Sequence, residues 1–396
     1  MIKNRFFLAG LAFWSFLVTP LSARIWTADQ GWTFEAEFVS ATDKDIKVVL
    51  ENGETLDIPL VRLTPMDRKW VEEALKKEEK EGLLNWDDTW PDIIEFEGDP
   101  NIEVEKEDTE ANKFVYSSEN YRFICDVRLS KSVVGTFADM FEATRLFCQA
   151  VPLAMDGGKK VDGKYVIILF ETKESYFKAG GPVGSVGVFF GGSNVVMVPL
   201  SSLGVRKVGS GYMRDRDKND NTLIHELTHQ LTPGFYYRPG LRGWFTEGIA
   251  EYVASTPYSY GRFRVGGNID EIVDYATAHG DGGKGGRALG KEIKGPPLEQ
   301  FMMMPYSEFA GARANFNYGF GLLMTTYFFH LDGDGDAARL KAALKIVRGQ
   351  RSRADGPQKI LAALLDGRTF AELEEDISEE WRRKGVKISF PSGESK

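Results

Sequence analysis

The residues best suited to catalysis are His225, Glu226 and His229, which form the pattern HExxH. On a helix, positions four apart lie on one face about one turn apart, so both imidazoles can bind the same metal ion. Glu226 lies beside them and is placed to act as a general base on a metal-bound water. Apolar residues at helical spacing predict that this helix is buried: Leu223, Ile224, Leu227 and Leu231. The alternative is a buried helix whose two histidines make ordinary hydrogen bonds.

Histidine is scarce in this chain, with 4 in 396 residues. The other two are His279, in a glycine-rich stretch, and His330, at the end of a helical stretch, and surface positions are expected for both. The composition therefore leaves room for one three-ligand metal site and argues against a second site rich in histidine.

A third ligand is expected after the two histidines. The metzincin extension is absent, because Thr232 and Phe235 stand where it requires glycine and histidine. The downstream segment WFTEGIAEY instead resembles the second helix of the gluzincin metallopeptidases. The resemblance implies that zinc is the metal, that Glu247, 18 residues after His229, is the third ligand, and that Glu251 accepts a hydrogen bond from a ligand histidine. The reverse assignment, with Glu251 as the ligand, remains open.

A wider resemblance covers residues 113–347, which look like the peptidase-MA-like group. In that group a strand precedes HExxH, an EGxAEY segment follows, and a later helix carries a tyrosine. The best matching tyrosine is Tyr318, and the resemblance implies that it donates a hydrogen bond to the oxyanion of the tetrahedral intermediate. A core aromatic role for Tyr318 is the alternative, and the surrounding stretch NFNYGFGLL is less polar than the family pattern.

Residues 184–199, upstream of HExxH, are the candidate for a strand that binds an extended substrate. They contain alternating apolar residues, a Gly191-Gly192 turn and a second short strand. In zincins an edge strand beside the metal helix pairs with the substrate backbone, and an ordinary internal hairpin is the alternative here. The GxMEN motif of aminopeptidase gluzincins is absent, which favours an endopeptidase.

Residues 1–23 have the pattern of a secretory signal peptide. Lys3 and Arg5 precede an apolar stretch, a proline breaks it, and small residues follow. The prediction is an exported protein, periplasmic or secreted, and an uncleaved membrane anchor is the alternative. No other stretch is long and apolar enough to span a bilayer. In an oxidising compartment Cys125 and Cys148 either form a disulfide or remain buried thiols.

Residues 24–80 predict a small β module followed by a helix. Apolar residues alternate in short stretches, Asn52-Gly53 is a hairpin signal, and Thr64-Pro65 opens a charged helix. Residues 24–73 resemble the Sla1 homology domain 1 module, with matches at Arg24, Trp26, Gly31, Ala36, Gly53, Pro59, Leu60, Leu63 and Asp67. The resemblance implies an SH3-like β-barrel and a protein partner for this module, and a structural spacer is the alternative.

Residues 81–112 are rich in Asp and Glu and predict an acidic linker. Residues 113–395 predict one compact domain, with strands in its first half and mainly helices after position 221. The predicted fold class is therefore α+β, with a mixed sheet, the HExxH helix and a helical C-terminal half. The resemblance implies a zincin-like metallopeptidase arrangement for these elements.

The overall charge bears on the partners. The formal net charge is -9, which argues against nucleic acid because phosphate binding needs a basic surface. The motif and the resemblance together predict an exported zinc-dependent peptidase, an endopeptidase acting on peptides or proteins. A non-catalytic binding or scaffold protein of the cell envelope, with an inactive zincin domain, is the alternative.

Overall fold

The computed structural model describes residues 24–27, 32–42, 44–50, 54–82, 84–215, 221–278, 286–349 and 356–391. It is a mixed α+β structure with 43% helix and 23% strand, which confirms the predicted class at that level. The chain divides into two compact units, Met1–Leu84 and Asn85–Lys396. The predicted signal peptide, residues 1–23, lies outside the described residues. Within them, no helix combines the length and the apolar character that a membrane-spanning segment needs.

The first unit consists of a four-stranded antiparallel sheet and one helix. Its elements are β1 Arg24–Thr27, β2 Thr33–Ala41, β3 Asp45–Leu50, β4 Thr55–Pro59 and α1 Pro65–Gly82, with the strands paired in that order. Alternate strand residues and one face of α1 form a core that includes Trp26, Phe38 and Val71. Asp67 accepts hydrogen bonds from the Thr27 amide and from Arg24, which tie α1 to β1. The predicted Asn52-Gly53 turn lies outside the described residues.

The second unit contains the remaining elements. Its first half comprises β5 Ile93–Glu95, β6 Glu103–Asp108, β7 Lys113–Ser117, β8 Tyr121–Cys125, α2 Lys131–Ala150, β9 Tyr165–Phe170, α3 Lys173–Lys178, β10 Val188–Phe190, β11 Val195–Pro199, β12 Val205–Val208 and β13 Gly211–Arg214. Its second half comprises α4 Asn221–Leu231, α5 Trp244–Ser255, β14 Tyr258–Ser259, β15 Arg262–Arg264, α6 Ile269–Thr277, β16 Glu292–Lys294, α7 Leu298–Met302, α8 Tyr306–Phe309, α9 Ala314–His330, α10 Ala338–Gly349, α11 Gly356–Leu365, α12 Phe370–Arg383 and β17 Lys387–Ser389.

A six-stranded mixed sheet forms the framework of the second unit, in the order β10-β11-β9-β8-β7-β6. The three central strands β8, β9 and β11 are parallel, whereas β10, β7 and β6 run antiparallel to their neighbours. Buried apolar runs such as Tyr165–Phe170 suit strands covered on both faces. The short strand β10 forms one edge of the sheet and pairs Val188 with Met197.

The prediction of an acidic linker over residues 81–112 is wrong where that segment forms strands β5 and β6. Strand β5 pairs with β15, and β6 pairs with β7 as the outer strand of the main sheet. The side chains of β6 are largely exposed, so its acidic composition resembles that of a loop. Backbone hydrogen bonding does not depend on those side chains, and charged residues are common on exposed edge strands. The side-chain nitrogen Nδ2 of Asn85 also donates to Gln149 O at 2.9 Å and Val151 O at 2.7 Å, which fixes the start of the unit to the end of α2.

Helices α5 and α9 pack against each other through a very close approach of their backbones. A Cβ atom built on Gly248 would lie 2.1 Å from Thr325 Oγ1 and 2.5 Å from the carbonyl oxygen of Gly321. Only glycine fits at this crossing, because a main-chain oxygen cannot rotate away as a side chain can. The absence of a side chain at Gly248 therefore fixes how deeply α5 sits against α9.

We expect Gly248→Ala to destabilise the protein by about 3 kcal/mol or more, at the upper end of the cost of overpacking a core. The reason is the clash with the Gly321 carbonyl, which one helix can relieve only by moving. Chemical denaturation of both variants measures the change in the free energy of unfolding. Gly349→Ala is the matched control, because a Cβ at this exposed position of α10 meets no atom within 4 Å. Equal stability of the two variants would contradict the packing argument.

The structure also places the two cysteines and His330, whose surroundings the sequence alone did not determine. Cys125 and Cys148 are free, buried thiols, and burial raises the pKa of each to about 12. His330, for which a surface position was predicted, is instead partly buried, and its Nε2 lies 2.7 Å from the hydroxyl of Tyr252 on α5. Burial lowers the pKa of His330 to about 4, so it packs as a neutral side chain. His279 lies outside the described residues.

Candidate metal centre

Helix α4 carries the HExxH residues and is buried, as the sequence predicts. Its apolar side is covered by the sheet and by α2, with Leu223, Ile224, Leu227 and Leu231 all buried. Gln230 anchors the end of the helix by donating to Val166 O and Asn194 O, both at 3.1 Å. His225 and His229 lie one turn apart, and their Nε2 atoms are 3.0 Å from each other.

Helix α5 brings Glu247 to the two histidines. The chain enters this helix at Gly243, whose φ of 96° suits glycine and whose amide donates to Thr246 Oγ1 at 3.0 Å. Glu247 Oε2 then lies 3.2 Å from His229 Nε2 and 3.3 Å from His225 Nε2. All three side chains are buried, so the cluster is shielded from bulk solvent.

The three donor atoms fit a metal ion. Their separations of 3.0, 3.2 and 3.3 Å are close to the edge of a tetrahedron around an ion. Bonds of about 2.0–2.1 Å to nitrogen and oxygen give such an edge a length of about 3.3 Å. His225, His229 and Glu247 can therefore hold a metal ion, with two imidazole nitrogens and one carboxylate oxygen as donors.

The short distances between these side chains determine their pKa values. Burial alone would raise the pKa of Glu247, but the two imidazoles hold it well below its usual range. Burial would lower the pKa of His225, but contacts with Glu247 and Glu251 raise it to about 10. A metal ion binds neutral imidazole, so a metal ion at this site competes with a proton on His225.

Glu251 lies one turn after Glu247 and faces the other nitrogen of the same histidine. Its Oε1 is 2.8 Å from His225 Nδ1, a short contact that is poorly aligned for a hydrogen bond. Arg287 donates from Nε to Glu251 Oε2 at 2.8 Å and from Nη2 to Oε1. Burial opposes the charge of Glu251, but His225 and Arg287 lower its pKa to about 2. The structure thus groups Glu247 with the donor atoms and Glu251 behind His225.

Glu226 is not one of the three donors, and its carboxylate reaches the edge of the sheet. Its side chain is partly exposed, and Oε2 accepts a hydrogen bond of 2.9 Å from the amide of Phe189. Phe189 is the middle residue of β10, which confirms that the segment 184–199 contains an edge strand beside the HExxH helix. A carboxylate that is oriented by an amide and open to solvent on one side is placed to accept a proton.

The tyrosine that the resemblance suggested lies close to the centre. The ring of Tyr318 is 6.1 Å from that of His225 and 5.0 Å from the Arg287 guanidinium, centre to centre. A second tyrosine approaches Glu247 directly, because Tyr306 donates from its hydroxyl to Glu247 Oε1 at 3.0 Å. Burial raises the pKa of both hydroxyls above their usual range, which keeps them protonated donors.

Sequence reasoning missed four contributors to this centre. They are Arg287, Tyr306, the Phe189 amide, and Tyr237, whose hydroxyl lies 3.2 Å from His229 Nδ1. None belongs to a recognisable motif, and a main-chain amide has no sequence signature. Their roles depend on which distant segments meet, which spacing within one helix cannot indicate.

The fold and the site define an α+β protein whose second unit holds a buried cluster of two histidines and one carboxylate. A comparison with models of protein families finds no match, and a comparison with curated proteins finds none either. The geometry of the site therefore carries the functional argument.

Proposed function

We propose that this chain is an exported, zinc-dependent peptidase, an endopeptidase of the gluzincin type. The observation that carries the proposal is the convergence of His225, His229 and Glu247, with the carboxylate of Glu226 beside them at an open sheet edge. Zinc fits this donor set, because two imidazoles and a carboxylate are the ligands of known catalytic zinc sites. Such sites keep a fourth position for water or substrate.

The chemistry that follows is hydrolysis of a carbonyl compound. The ion, when bound, lowers the pKa of water and polarises the carbonyl group of a substrate. Glu226 takes the proton of the attacking water and passes it to the leaving amine. The amide of Phe189 orients Glu226 for this transfer. Tyr318 or Tyr306 donates a hydrogen bond to the developing oxyanion.

The shape of the site favours an extended peptide as the substrate. Strand β10 lies at the edge of the sheet, and its Phe189 amide points towards the HExxH helix rather than towards β11. A substrate in extended conformation can add to this edge by main-chain hydrogen bonds. The second unit would then be a zincin-like domain in which β10 aligns the scissile bond with Glu226.

Two further parts of the proposal concern the N-terminal region. Residues 1–23 act as a signal peptide, which delivers the protein to the periplasm or the exterior. The first unit adopts an SH3-like barrel of the Sla1 homology domain 1 type and binds a protein partner. The four-stranded antiparallel sheet closed by α1 supports this assignment.

Hydrolysis of a mixed peptide library by residues 24–396, with metal content measured in parallel, tests the proposal. We expect one zinc per chain and cleavage at internal bonds, lost on treatment with a chelator and restored by zinc. Cleavage that survives complete removal of metal would contradict it. Bound metal without turnover of any peptide would favour the alternative, a scaffold protein with an inactive zincin domain.

A further inference from the structure

An exposed cation without a carboxylate partner lies beside the candidate metal centre. It is Arg242, in the turn that precedes α5. Its guanidinium carbon lies 4.8 Å from the ring centroid of Tyr306, a cation–π contact. Across the part of the chain that the structure describes, Arg242 forms no ion pair with an aspartate or a glutamate. Its hydrogen-bond donors are therefore free to bind a ligand.

The contact with Tyr306 places this cation at the rim of the site. Tyr306, on which Arg242 lies, donates to the ligand Glu247 at 3.0 Å. One tyrosine side chain thus separates the guanidinium from Glu247, a residue of the centre.

The backbone around this arginine is held in place. The Arg242 amide donates to Arg238 O at 2.8 Å, and the next residue, Gly243, is fixed by its bond to Thr246. The side chain therefore extends from a rigid base, which reduces the ordering cost when it binds a ligand.

The acidic residues of the centre do not neutralise Arg242. Glu247 faces the two histidines, and Glu251 is bound by Arg287, which is largely buried and already occupied. Arg287 is thus part of the site, whereas Arg242 presents unused hydrogen-bond donors to solvent.

We propose that Arg242 determines substrate specificity by binding a carboxylate of the peptide, one or two residues from the scissile bond. An extended peptide advances about 3.3 Å per residue. One or two residues therefore span about the length of the tyrosine side chain that separates Arg242 from Glu247. The planar guanidinium binds a carboxylate through two parallel hydrogen bonds. The carboxylate belongs to an aspartate or glutamate side chain or to the C-terminus of the peptide. This inference rests on the proposed peptidase function.

Matched peptide pairs test the inference. In the first pair an aspartate near the cleavage site is exchanged for asparagine, and in the second a free C-terminus is exchanged for an amide. We expect Arg242→Ala to lower kcat/KM about tenfold or more for the member with the carboxylate and to leave its partner unchanged, because a charge-assisted hydrogen bond is lost. The pair that responds identifies the source of the carboxylate. Arg383→Ala, which removes an exposed charge from α12, is the matched control and should change neither pair.

Binding provides a readout that does not need turnover. Peptide hydroxamates with the same carboxylate and amide pairs are titrated into zinc-loaded chains that carry Glu226→Gln, with and without Arg242→Ala. If the member with the carboxylate binds more tightly and Arg242→Ala abolishes this preference, the inference is supported, even when the wild-type chain cleaves no peptide. In that case the proposed function alone fails. Equal binding of both members, or binding of neither, overturns the inference, as does an equal effect of Arg242→Ala on both members in the cleavage assay.

Discussion

Replacing Glu226 with glutamine is expected to reduce kcat by about 10²–10⁴-fold, the usual contribution of a general base, while one zinc per chain is retained. Glutamine has the shape of glutamate but cannot accept a proton from water. Its side-chain oxygen can still accept the 2.9 Å bond from the Phe189 amide, so the edge strand should stay in place. The donor cluster is also untouched, because Glu226 is not among the three residues that converge. Steady-state cleavage assays and metal analysis of the same samples measure both quantities.

A remote replacement of the same kind separates this effect from a general loss of charge. Glu103 is exposed on β6, so Glu103→Gln should retain full activity and metal content. If Glu226→Gln kept wild-type kcat, the assigned base would be wrong. If it lost its metal together with its activity, Glu226 would belong to the ligand set instead.

Local spacing explains which parts of the site the sequence could predict. HExxH needs only the geometry of one helix, so the apposition of His225 and His229 follows from positions four apart. Glu247 came from a resemblance, and the structure brings its Oε2 within 3.3 Å of both histidines. Arg287 is one of 49 lysines and arginines, and nothing near it in the chain marks it as the partner of Glu251.

Prediction of the fold from the sequence has the same limit, because some elements depend on neighbours that are distant in the chain. Periodic apolar residues predict strands such as β9 and helices such as α2, because burial of one face depends on local pattern. The acidic strand β6 and the partly buried His330 escaped prediction for a shared reason. Each is defined by a neighbour distant in sequence, β7 through backbone hydrogen bonds and Tyr252 through its hydroxyl. The composition of a segment describes its side chains, but it does not show which distant segments that segment contacts.

The two acidic residues of α5 should differ sharply in their effect on metal affinity. We expect Glu247→Gln to abolish tight zinc binding, because it removes the carboxylate oxygen that lies within 3.3 Å of both imidazoles. Glu251→Gln should weaken affinity by about 10–100-fold, as replacing a group that supports a ligand does. Competition with a chromophoric chelator measures the dissociation constants.

The free energy of unfolding of the metal-free protein also distinguishes the roles of Glu247 and Glu251. Glu251→Gln leaves the guanidinium of Arg287 without its carboxylate, and breaking a buried pair costs about 3–5 kcal/mol. Glu247→Gln removes a carboxylate crowded by two histidines but leaves no guanidinium unpaired, so its cost in the free energy of unfolding should be smaller. Chemical denaturation in the presence of a chelator gives both values. A larger loss of zinc affinity for Glu251→Gln than for Glu247→Gln would reverse the assignment, because it would make Glu251 the ligand and Glu247 the residue that orients it.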